Sequence, residues 1–467
     1  MFKKFFLVLS LFIAIAFNSQ AQSWKMDSVF PVDSSQGAGT HGLAVDPDGK
    51  VWIQCYYAYG RDSLQVPGYD AATGAPKNVK ATVRALYVFN PDGTQASFSP
   101  ILFNKVGGVV KDTLGGETAF KSIKNPLDTT VMINVASWSP NTGRGLTLDE
   151  NGNVVAGYWD YLFKFDYKTG AGLMDRLVCG VGGVVKPGID AAGNFYVRAV
   201  GPGGPIKMFD KSGVFLGNAL DITTGYCRSI DVTKNGLTVY HPAYSVHYVQ
   251  TLKRADEFSP FVSDTVLRGF DCESLVWDPV KPDQLWLSSG SYNDLPNRHL
   301  GEVTNYDVAT WYAYDTKTNT LSGEKIAWNF YVDKNSAERP RAIGFSPDGK
   351  IAYLGTFSAG AVRKYIVDAS SVEQLGNTIP SVYELAQNYP NPFNPETSIR
   401  FSVPQESFVT VKVFNTLGED VATLLNEVKT AGTYNVSFNA KNLTSGIYFY
   451  TIKANDFTST KKMILLR

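Results

Sequence analysis

The chain has 467 residues, and its 43 Lys and Arg residues balance 43 Asp and Glu residues, so the formal net charge is zero. This balance excludes the strongly basic surface typical of nucleic-acid-binding proteins, and any electrostatic function must be local. Aromatic residues make up 13% of the chain, with 42 Gly and 23 Pro, which is typical of a turn-rich β protein. The 4 cysteines include no Cys-x-x-Cys pair, which argues against a disulfide framework and against a zinc finger.

The first 21 residues have the three parts of a signal peptide. Met1-Phe2-Lys3-Lys4 is a basic start, Phe5 to Phe17 is an almost unbroken apolar run, and Ser19-Gln20-Ala21 supplies the small residues that a signal peptidase reads. We expect Sec export to the periplasm and a mature chain that starts near Gln22. No later stretch reaches about 18 apolar residues, so no transmembrane segment is expected.

Residues 22–370 contain a repeated pattern of an apolar strand, a polar turn with Gly and a second apolar strand. It occurs at residues 42–52, 145–155, 187–197, 229–239, 275–287 and 343–353. A second hairpin usually follows, as at 87–94 and 208–215, so each copy predicts four short antiparallel strands. Four strands in roughly forty residues are the pattern of a β-propeller blade, and the repeat therefore predicts an all-β, six-bladed propeller.

The two ends of this region are predicted to join. The last copy runs through residues 361–367 and stops one strand short of a full blade, while residues 24–30 have no assigned partner. An outer strand from 24–30 would complete the blade and leave no open sheet edge. The repeat motifs, of which Val45-Asp46-Pro47-Asp48-Gly49 is one, resemble those of NHL, SMP-30 and YVTN-like propellers. This resemblance implies the fold and says little about activity.

Aligning the copies on their turn glycines identifies the residues just before each innermost strand, where the chain enters the wall of the central channel. They are His41, Arg144, Lys186 beside Val185, Arg228, Glu273 and Arg341. In a neutral chain this is a concentrated positive site, and Arg offers a rigid fork that suits carboxylate, sulfate or phosphate. The alternative is structural, because Glu273 could pair with two of the arginines without a ligand. The acidic and amide ligand set of an SMP-30-type metal hydrolase is missing, and neither a metal nor another cofactor is expected.

Long connections on the same face are expected to carry binding elements, at residues 56–82, 102–142, 289–309 and 331–339. His41 and His241 are the candidate acid–base residues. The residues expected near His241, which could help to bind a sugar, are Tyr158, Trp159, Asp160, Tyr292 and His299. Ordinary packing is the alternative for these aromatic residues.

Two further features are the acidic turns, which we interpret as structural, and a pair of cysteines, whose bonding stays open. Asp46-Pro47-Asp48-Gly49 and Asp149-Glu150-Asn151-Gly152 lack the remaining ligands of a calcium loop, which favours plain hairpin turns. Cys227 and Cys272 occupy equivalent positions in neighbouring blades. They are either a disulfide, which needs Cα atoms within about 7 Å, or two buried thiols.

A polar linker at residues 371–387, which contains Pro380, precedes a small domain at 388–467. Asn388-Tyr389-Pro390-Asn391-Pro392-Phe393-Asn394-Pro395 opens this domain, and Lys461-Lys462-Met463-Ile464-Leu465-Leu466-Arg467 closes it. The pattern resembles the C-terminal sorting domain of the type IX secretion system. The resemblance implies a Bacteroidota-like envelope protein, the secretion machinery as partner, and release or tethering at the outer-membrane surface. About seven short strands predict an immunoglobulin-like β-sandwich.

Three functions are compatible with these features. The first is a secreted or cell-surface module that binds an anionic ligand, an acidic glycan or a protein, at the loop-rich face. The second is an extracellular lyase or hydrolase of an acidic polysaccharide, in which arginines neutralise a carboxylate and His41 or His241 moves the proton. The third is a structural or adhesive surface protein. The first is favoured over the second because the candidate site has binding groups more clearly than catalytic ones.

Overall fold

A computed structural model describes residues 24–31, 39–56, 63–290, 306–307, 309–328, 339–357, 362–367, 372–374, 380–441 and 443–466. The predicted signal peptide therefore lies outside the described residues. The chain divides into two compact units, Ser23–Val367 and a second that contains Asp368–Arg467, and each is described by itself. No helix among the described residues is long and apolar enough to cross a membrane.

The first unit contains a succession of antiparallel sheets, five with four strands and one with three among the described residues. Innermost strand first, they are Thr40–Val45, Val51–Cys55 and Leu86–Phe89 (sheet 1); Gly143–Leu148, Val154–Tyr158, Tyr161–Phe165 and Leu177–Val178 (sheet 2); Gly188–Ile189, Phe195–Val197, Ile206–Phe209 and Phe215–Leu220 (sheet 3); Asp231–Val232, Thr238–Ala243, Tyr248–Lys253 and Val262–Val266 (sheet 4); Leu275–Trp277, Gln284–Ser288, Thr310–Asp315 and Thr320–Ala327 (sheet 5); and Pro340–Phe345, Ile351–Thr356, Val362–Val367 and Trp24–Phe30 (sheet 6). A 3-10 helix, Tyr244–Val246, lies within sheet 4's second connection.

The innermost strands contact one another in a closed succession. Sheet 1 contacts sheets 2 and 6, sheet 3 contacts sheets 2 and 4, and sheet 5 contacts sheet 6. The Leu275 amide donates to Ser229 Oγ over 2.9 Å and links sheets 4 and 5. The predicted outer strand is present, since Trp24 pairs with Val367 and Phe30 with Val362. The first unit is thus arranged as a β-propeller, with its innermost strands around a central axis.

The turns that join the first and second strands are held by a buried or half-buried side chain. Asp46 Oδ1 accepts from the amides of Asp48 and Lys50, and its Oδ2 accepts from the Trp52 indole at 2.9 Å. Asp149 and Asp190 accept from the equivalent amides of their own turns. The carboxylates of Asp46 and Asp149, in the two motifs compared with calcium loops, are therefore occupied by turn donors.

Aromatic residues fill the spaces between sheets. Trp286 and Trp311 are fully buried in a cluster that sheets 5 and 6 share, and the Trp24 ring packs edge-on to Trp286 at 6.1 Å. Each such side chain contributes roughly 1.5–3 kcal/mol by leaving water. The strand Trp24–Phe30 therefore closes the ring through packing as well as through backbone pairing.

Parts of two connections predicted as long loops form β-hairpins. They are Ser63–Tyr69 with Pro76–Thr82, Phe103–Val106 with Val109–Thr113, and Gly116–Asn125 with Asp128–Pro140. Local pairing satisfies the backbone groups on the paired edge of each strand. The connections at 289–309 and 331–339 lie largely outside the described residues.

The second unit has two four-stranded antiparallel sheets. In pairing order they are Val372–Gln374, Gly432–Asn439, Glu396–Val403 and Glu384–Leu385, then Asp420–Lys429, Ser407–Phe414, Gly446–Ala454 and Phe457–Leu465. Alternate residues of both sheets, such as Ile399, Val411 and Tyr450, form one buried cluster. Val372–Gln374 and Glu384–Leu385 belong to the segment read as a linker, and both pair with strands of this unit.

Candidate functional site

The six positions predicted to line the channel lie at corresponding ends of the innermost strands, and we call them the rim. His41, Arg144 and Arg341 are second residues of their strands, while Lys186, Arg228 and Glu273 come just before theirs. The charges of Arg341, Arg228 and Arg144 all lower the pKa of His41, so these four side chains share one region.

Arg341 and Glu273 form a compensated pair. Glu273 is fully buried, Arg341 is 5% exposed, and the carboxylate and guanidinium are in direct contact. Burial, followed by the charge of Arg228, lowers the pKa of Arg341 to about 9, which leaves the guanidinium charged at neutral pH. The pair joins sheets 5 and 6 and has the character of a structural link.

Lys186 is also paired. Its Nζ lies 2.6 Å from the carboxylate of Asp231, and both side chains are largely buried. Burial raises the pKa of Asp231, and the neighbouring Lys186 charge opposes that rise. Sequence reasoning missed Asp231 because its partner, Lys186, belongs to the neighbouring sheet and no local motif joins the two.

Arg144 and Arg228 differ from the paired residues. Arg144 is 7% exposed, and its guanidinium lies 5.4 Å from the Tyr56 ring and 5.0 Å from the Trp159 ring. Arg228 is half-buried, and its Nη2 donates to the Tyr244 hydroxyl at 3.1 Å. The Nε atom of each arginine is buried without a hydrogen-bond partner. Within the described ranges, neither guanidinium has a carboxylate at ion-pair distance.

His41 is a neutral group at the rim. Burial lowers its pKa well below 6.5, and the charges of Arg341, Arg228 and Arg144 lower it further. Its ring packs against Tyr56 at 4.9 Å and Phe357 at 5.4 Å. His41 therefore adds a hydrogen-bonding group, not a charge, to the three arginines.

A narrow gap, with room for about one water molecule, lies between the innermost strands and is lined in part by His41, Lys186 and Arg341. Apolar residues from four strands complete much of its wall: Leu43, Leu146, Leu275 and Ile343. The gap is therefore far smaller than typical small-molecule sites, which hold roughly 300–1,000 Å³. A ligand larger than a few atoms would have to bind at the mouth of the channel.

His241, the other acid–base candidate, is fully buried. Its Nε2 contacts the Arg198 guanidinium, and its Nδ1 lies 2.9 Å from Gln250 Oε1. Burial, then the Arg198 charge, lowers the pKa of His241 to about 3. Among its expected neighbours, Tyr292 and His299 lie outside the described residues. The arrangement holds His241 as a neutral, inaccessible group.

The remaining motifs have structural partners. Asp160 Oδ1 accepts from the amides of Val181 and Gly182 at 2.7 and 2.8 Å. Cys227 and Cys272 are free, buried thiols. No group of three potential His, Cys, Asp or Glu ligands comes together in the part of the chain that the structure describes.

Aromatic residues around the rim occupy equivalent positions in the repeat, and this regularity is visible in the sequence. The residue directly after the second strand is aromatic in four sheets: Tyr56, Trp159, Tyr244 and Phe357. Each of these rings lies near a rim guanidinium. Aligning the ends of the second strands, as well as the starts of the first, would have found them.

A histidine–aspartate pair on the same face was also missed. His247 Nδ1 contacts Asp271 Oδ1, and Asp271 Oδ2 accepts from the Tyr306 hydroxyl. His247 and Tyr244 belong to the same connection, between the second and third strands of sheet 4. The three partners are distant in sequence, so no local motif marks them.

Comparison with known proteins assigns the second unit. Residues 387–466 match the family of the secretion system C-terminal sorting domain. This segment is a type IX secretion C-terminal sorting domain. The sorting domain implies interaction with the type IX secretion machinery and export across the outer membrane to the surface or the extracellular space.

No curated protein matches the chain. Among solved structures, it is similar to the β-propeller domain of Cps50 (Swd1) from Myceliophteria thermophila, with 8% sequence identity and a TM-score of 0.40. That likeness covers 74% of this chain and 100% of the other.

Proposed function

We propose that this exported β-propeller binds an anionic ligand, an acidic glycan or a protein, at the mouth of its central channel through Arg144 and Arg228. One observation carries the proposal: both guanidinium groups are partly or largely buried, yet neither has a carboxylate at ion-pair distance among the described residues. The paired residues Lys186 and Arg341 are the contrast, since each already has its counter-charge.

The energetic argument concerns buried charge. A guanidinium withdrawn from water loses hydration, and only hydrogen bonds and an opposite charge restore it. Rings at Tyr56 and Trp159 supply part of that compensation to Arg144. A ligand carboxylate or sulfate would supply the rest and would bind Arg in its preferred two-pronged geometry. His41 and Lys186 remain in the proposed site as neighbours at the channel wall, together with the Arg341–Glu273 pair.

The proposed organisation of the chain follows from the same reading. Residues 1–21 serve as a Sec signal peptide, 22–370 form an NHL-like propeller with six blades, and 388–467 fold as an immunoglobulin-like sandwich. Residues 371–387 connect the two and add two short strands to the sandwich. The closed succession of innermost strands supports the blade number. The single core shared by two four-stranded sheets supports the sandwich.

The binding test uses the full chain and three single variants: Arg144→Gln, Arg228→Gln and Arg176→Gln. Arg176 is the matched control, because it is paired with Glu117 at 2.9 Å on a peripheral hairpin. Calorimetric titration is run with oligogalacturonate, heparin fragments and neutral dextran at low and at physiological salt. We expect binding of an anionic probe that weakens with salt and that is lost in the two rim variants only.

Equal binding by all variants, or equal binding of dextran, would contradict the proposal. The structural or adhesive role would be favoured if the chain bound none of the probes and if cells that carry the rim variants had the same phenotype as cells that carry the wild-type chain.

A second candidate function is cleavage of an acidic polysaccharide. The observation in its favour is the His247–Asp271–Tyr306 arrangement, which differs from the two histidines that sequence suggested. Asp271 fixes one ring nitrogen of His247, and no described residue hydrogen-bonds the other, Nε2. An oriented imidazole with a free nitrogen on the face that carries Arg228 is suited to accept a proton.

Catalysis is tested with His247→Asn and, as a control, the buried His241→Asn. Each glycan that binds is assayed for new reducing ends and for unsaturated products. Loss of turnover in His247→Asn with unchanged affinity would support cleavage. Binding without any product from the wild-type chain would reject it.

A further inference from the structure

Trp159 differs from the other described aromatic residues at the rim because it combines large exposure with a guanidinium beneath it. Its side chain is 45% exposed, and the Arg144 guanidinium lies 5.0 Å from the ring centre. Trp159 has φ 45, a left-handed backbone conformation that a bulky residue rarely adopts. The fold thus holds a large apolar ring in solvent despite an unfavourable backbone geometry.

The backbone of Trp159 is clamped on both sides. Its amide donates to the Thr142 carbonyl at 3.1 Å, just before the innermost strand of sheet 2. Its own carbonyl accepts from the Val184 amide in the connection to sheet 3. Because both neighbours fix the main chain, the Cβ of Trp159 is held in one place, and from there the indole lies beside the Arg144 guanidinium.

The surface beside the indole is backbone rather than side chain. A Cβ added to Gly183 would stand 3.9 Å from the ring, and one added to Gly182 would meet nothing within 4 Å. Asp160 holds this glycine turn by accepting from the Val181 and Gly182 amides. The indole therefore borders a low, open surface with room for a flat ring.

We propose that Trp159 and Arg144 form a subsite for a hexuronic acid residue of a glycan. The apolar face of the sugar ring stacks on the indole, and the sugar carboxylate binds the Nη atoms of Arg144. This inference rests on the proposed anion binding and adds the ligand class. It uses two features that sulfate alone would not need: an exposed aromatic ring for the sugar face and a planar fork for a carboxylate.

Arg144 supplies the independent support. Its side chain is more than nine-tenths buried, its Nε lacks a partner, and no described carboxylate pairs with it. The Tyr56 ring also lies 5.4 Å from the guanidinium, so Arg144 keeps an aromatic contact when Trp159 is changed. The two parts of the subsite can therefore be altered separately.

The test measures binding by the full chain with three variants: Trp159→Asn, Arg144→Lys and Phe258→Asn. Asn tolerates the left-handed backbone that Trp159 occupies, so the substitution removes the ring without adding strain. Arg144→Lys keeps the charge and removes the fork. Phe258, which is 89% exposed between the third and fourth strands of sheet 4, is the control for loss of an exposed aromatic ring.

The probes are oligogalacturonate, its methyl ester and inorganic sulfate. We expect Trp159→Asn to lower oligogalacturonate affinity about tenfold, the order of one aromatic contact, and to leave sulfate affinity unchanged. Arg144→Lys is expected to weaken oligogalacturonate more than sulfate, and the methyl ester is expected to bind poorly to the wild-type chain. Phe258→Asn is expected to bind as wild type does.

Salt-sensitive binding that Trp159→Asn leaves intact would overturn the uronate subsite and retain the anion site. Equal affinity for the acid and its methyl ester would overturn it as well. If the wild-type chain bound none of the anionic probes, the proposed function itself would be overturned. Failure of the uronate subsite and failure of the anion site therefore give different results.

Discussion

The two ends of each propeller sheet solve the problem of buried polar groups in different ways. At the end with the short turns, Asp46 and Asp190 each accept three or more hydrogen bonds from their own hairpin. At the rim, Arg144 and Arg228 have no described carboxylate at ion-pair distance, whereas Arg341 contacts Glu273. A buried charge that contacts its counter-charge indicates a structural link, and a buried charge without one is the better candidate for a ligand site.

The strongest effect is expected from the rim pair whose two charges compensate each other. Glu273→Gln leaves the buried Arg341 without its counter-charge and should lower the free energy of unfolding by about 3–5 kcal/mol. All 8 tryptophans lie in the first unit, so denaturant unfolding followed by tryptophan fluorescence reports on the propeller. The double variant Glu273→Leu/Arg341→Met should recover much of the loss. A Glu273→Gln chain as stable as wild type would remove the distinction between paired and unpaired arginines.

A smaller effect is expected at the turns. Asp190→Ala removes the acceptor for the amides of Ala192 and Asn194 and for the Tyr196 hydroxyl. The unsatisfied donors should cost about 1–3 kcal/mol. Asp210→Ala, at an exposed turn with the same hydrogen-bond pattern, is the control and should change stability much less. Equal losses at both turns would mean that burial does not set the importance of these carboxylates.

The pH dependence of stability tests the neutral histidines. The folded pKa of His241 is about 3, below its ordinary 6.5, so between these values the unfolded chain binds a proton that the folded chain does not. Stability is therefore full above pH 6.5 and falls as pH drops, by about 1.4 kcal/mol per pH unit for this group. His41 acts in the same direction. His241→Asn should reduce the slope between pH 6.5 and 5 in fluorescence-detected unfolding, and an unchanged slope would contradict the assignment.

The smallest change in stability is expected at Arg144. Arg144→Met removes a buried charge that lacks an anion and keeps apolar contact with Tyr56 and Trp159. Its free energy of unfolding should lie within about 1 kcal/mol of wild type, or above it, in buffer without polyanions. A loss as large as that of Glu273→Gln would show that Arg144 is a structural residue, and it would weaken the proposed binding site.

The repeat predicted which residues share an end of the sheets. Turn glycines recur at fixed positions, so Arg144, Arg228 and Arg341 could be placed together from the order of residues alone. The choice of partner could not be predicted: Glu273 contacts Arg341 and leaves Arg228 to Tyr244, because the rotation of neighbouring sheets decides which side chains meet. Asp231 and Asp271 were missed for the same reason, since their partners lie in other sheets or connections.

The local sequence pattern also did not predict the hairpins that form within the long insertions. Residues 103–140 carry enough alternating apolar and polar positions for paired strands, yet their length and distance from the repeat favoured a loop. The burial of His41 and His241 could not be predicted either. The sequence pattern of a strand is the same whether its histidine faces water or packs against arginine. Pairwise packing decides both outcomes.

The seal between Trp24–Phe30 and Val362–Val367 has a mechanical consequence. Trp24 lies opposite Val367, so the chain enters and leaves the ring at the same end of one antiparallel pair. Tension applied between Trp24 and Val367 would load that terminal pair first and open the ladder rung by rung, instead of shearing all its hydrogen bonds at once. A ring stretched between these two residues would therefore yield at the seam while the other sheets still hold.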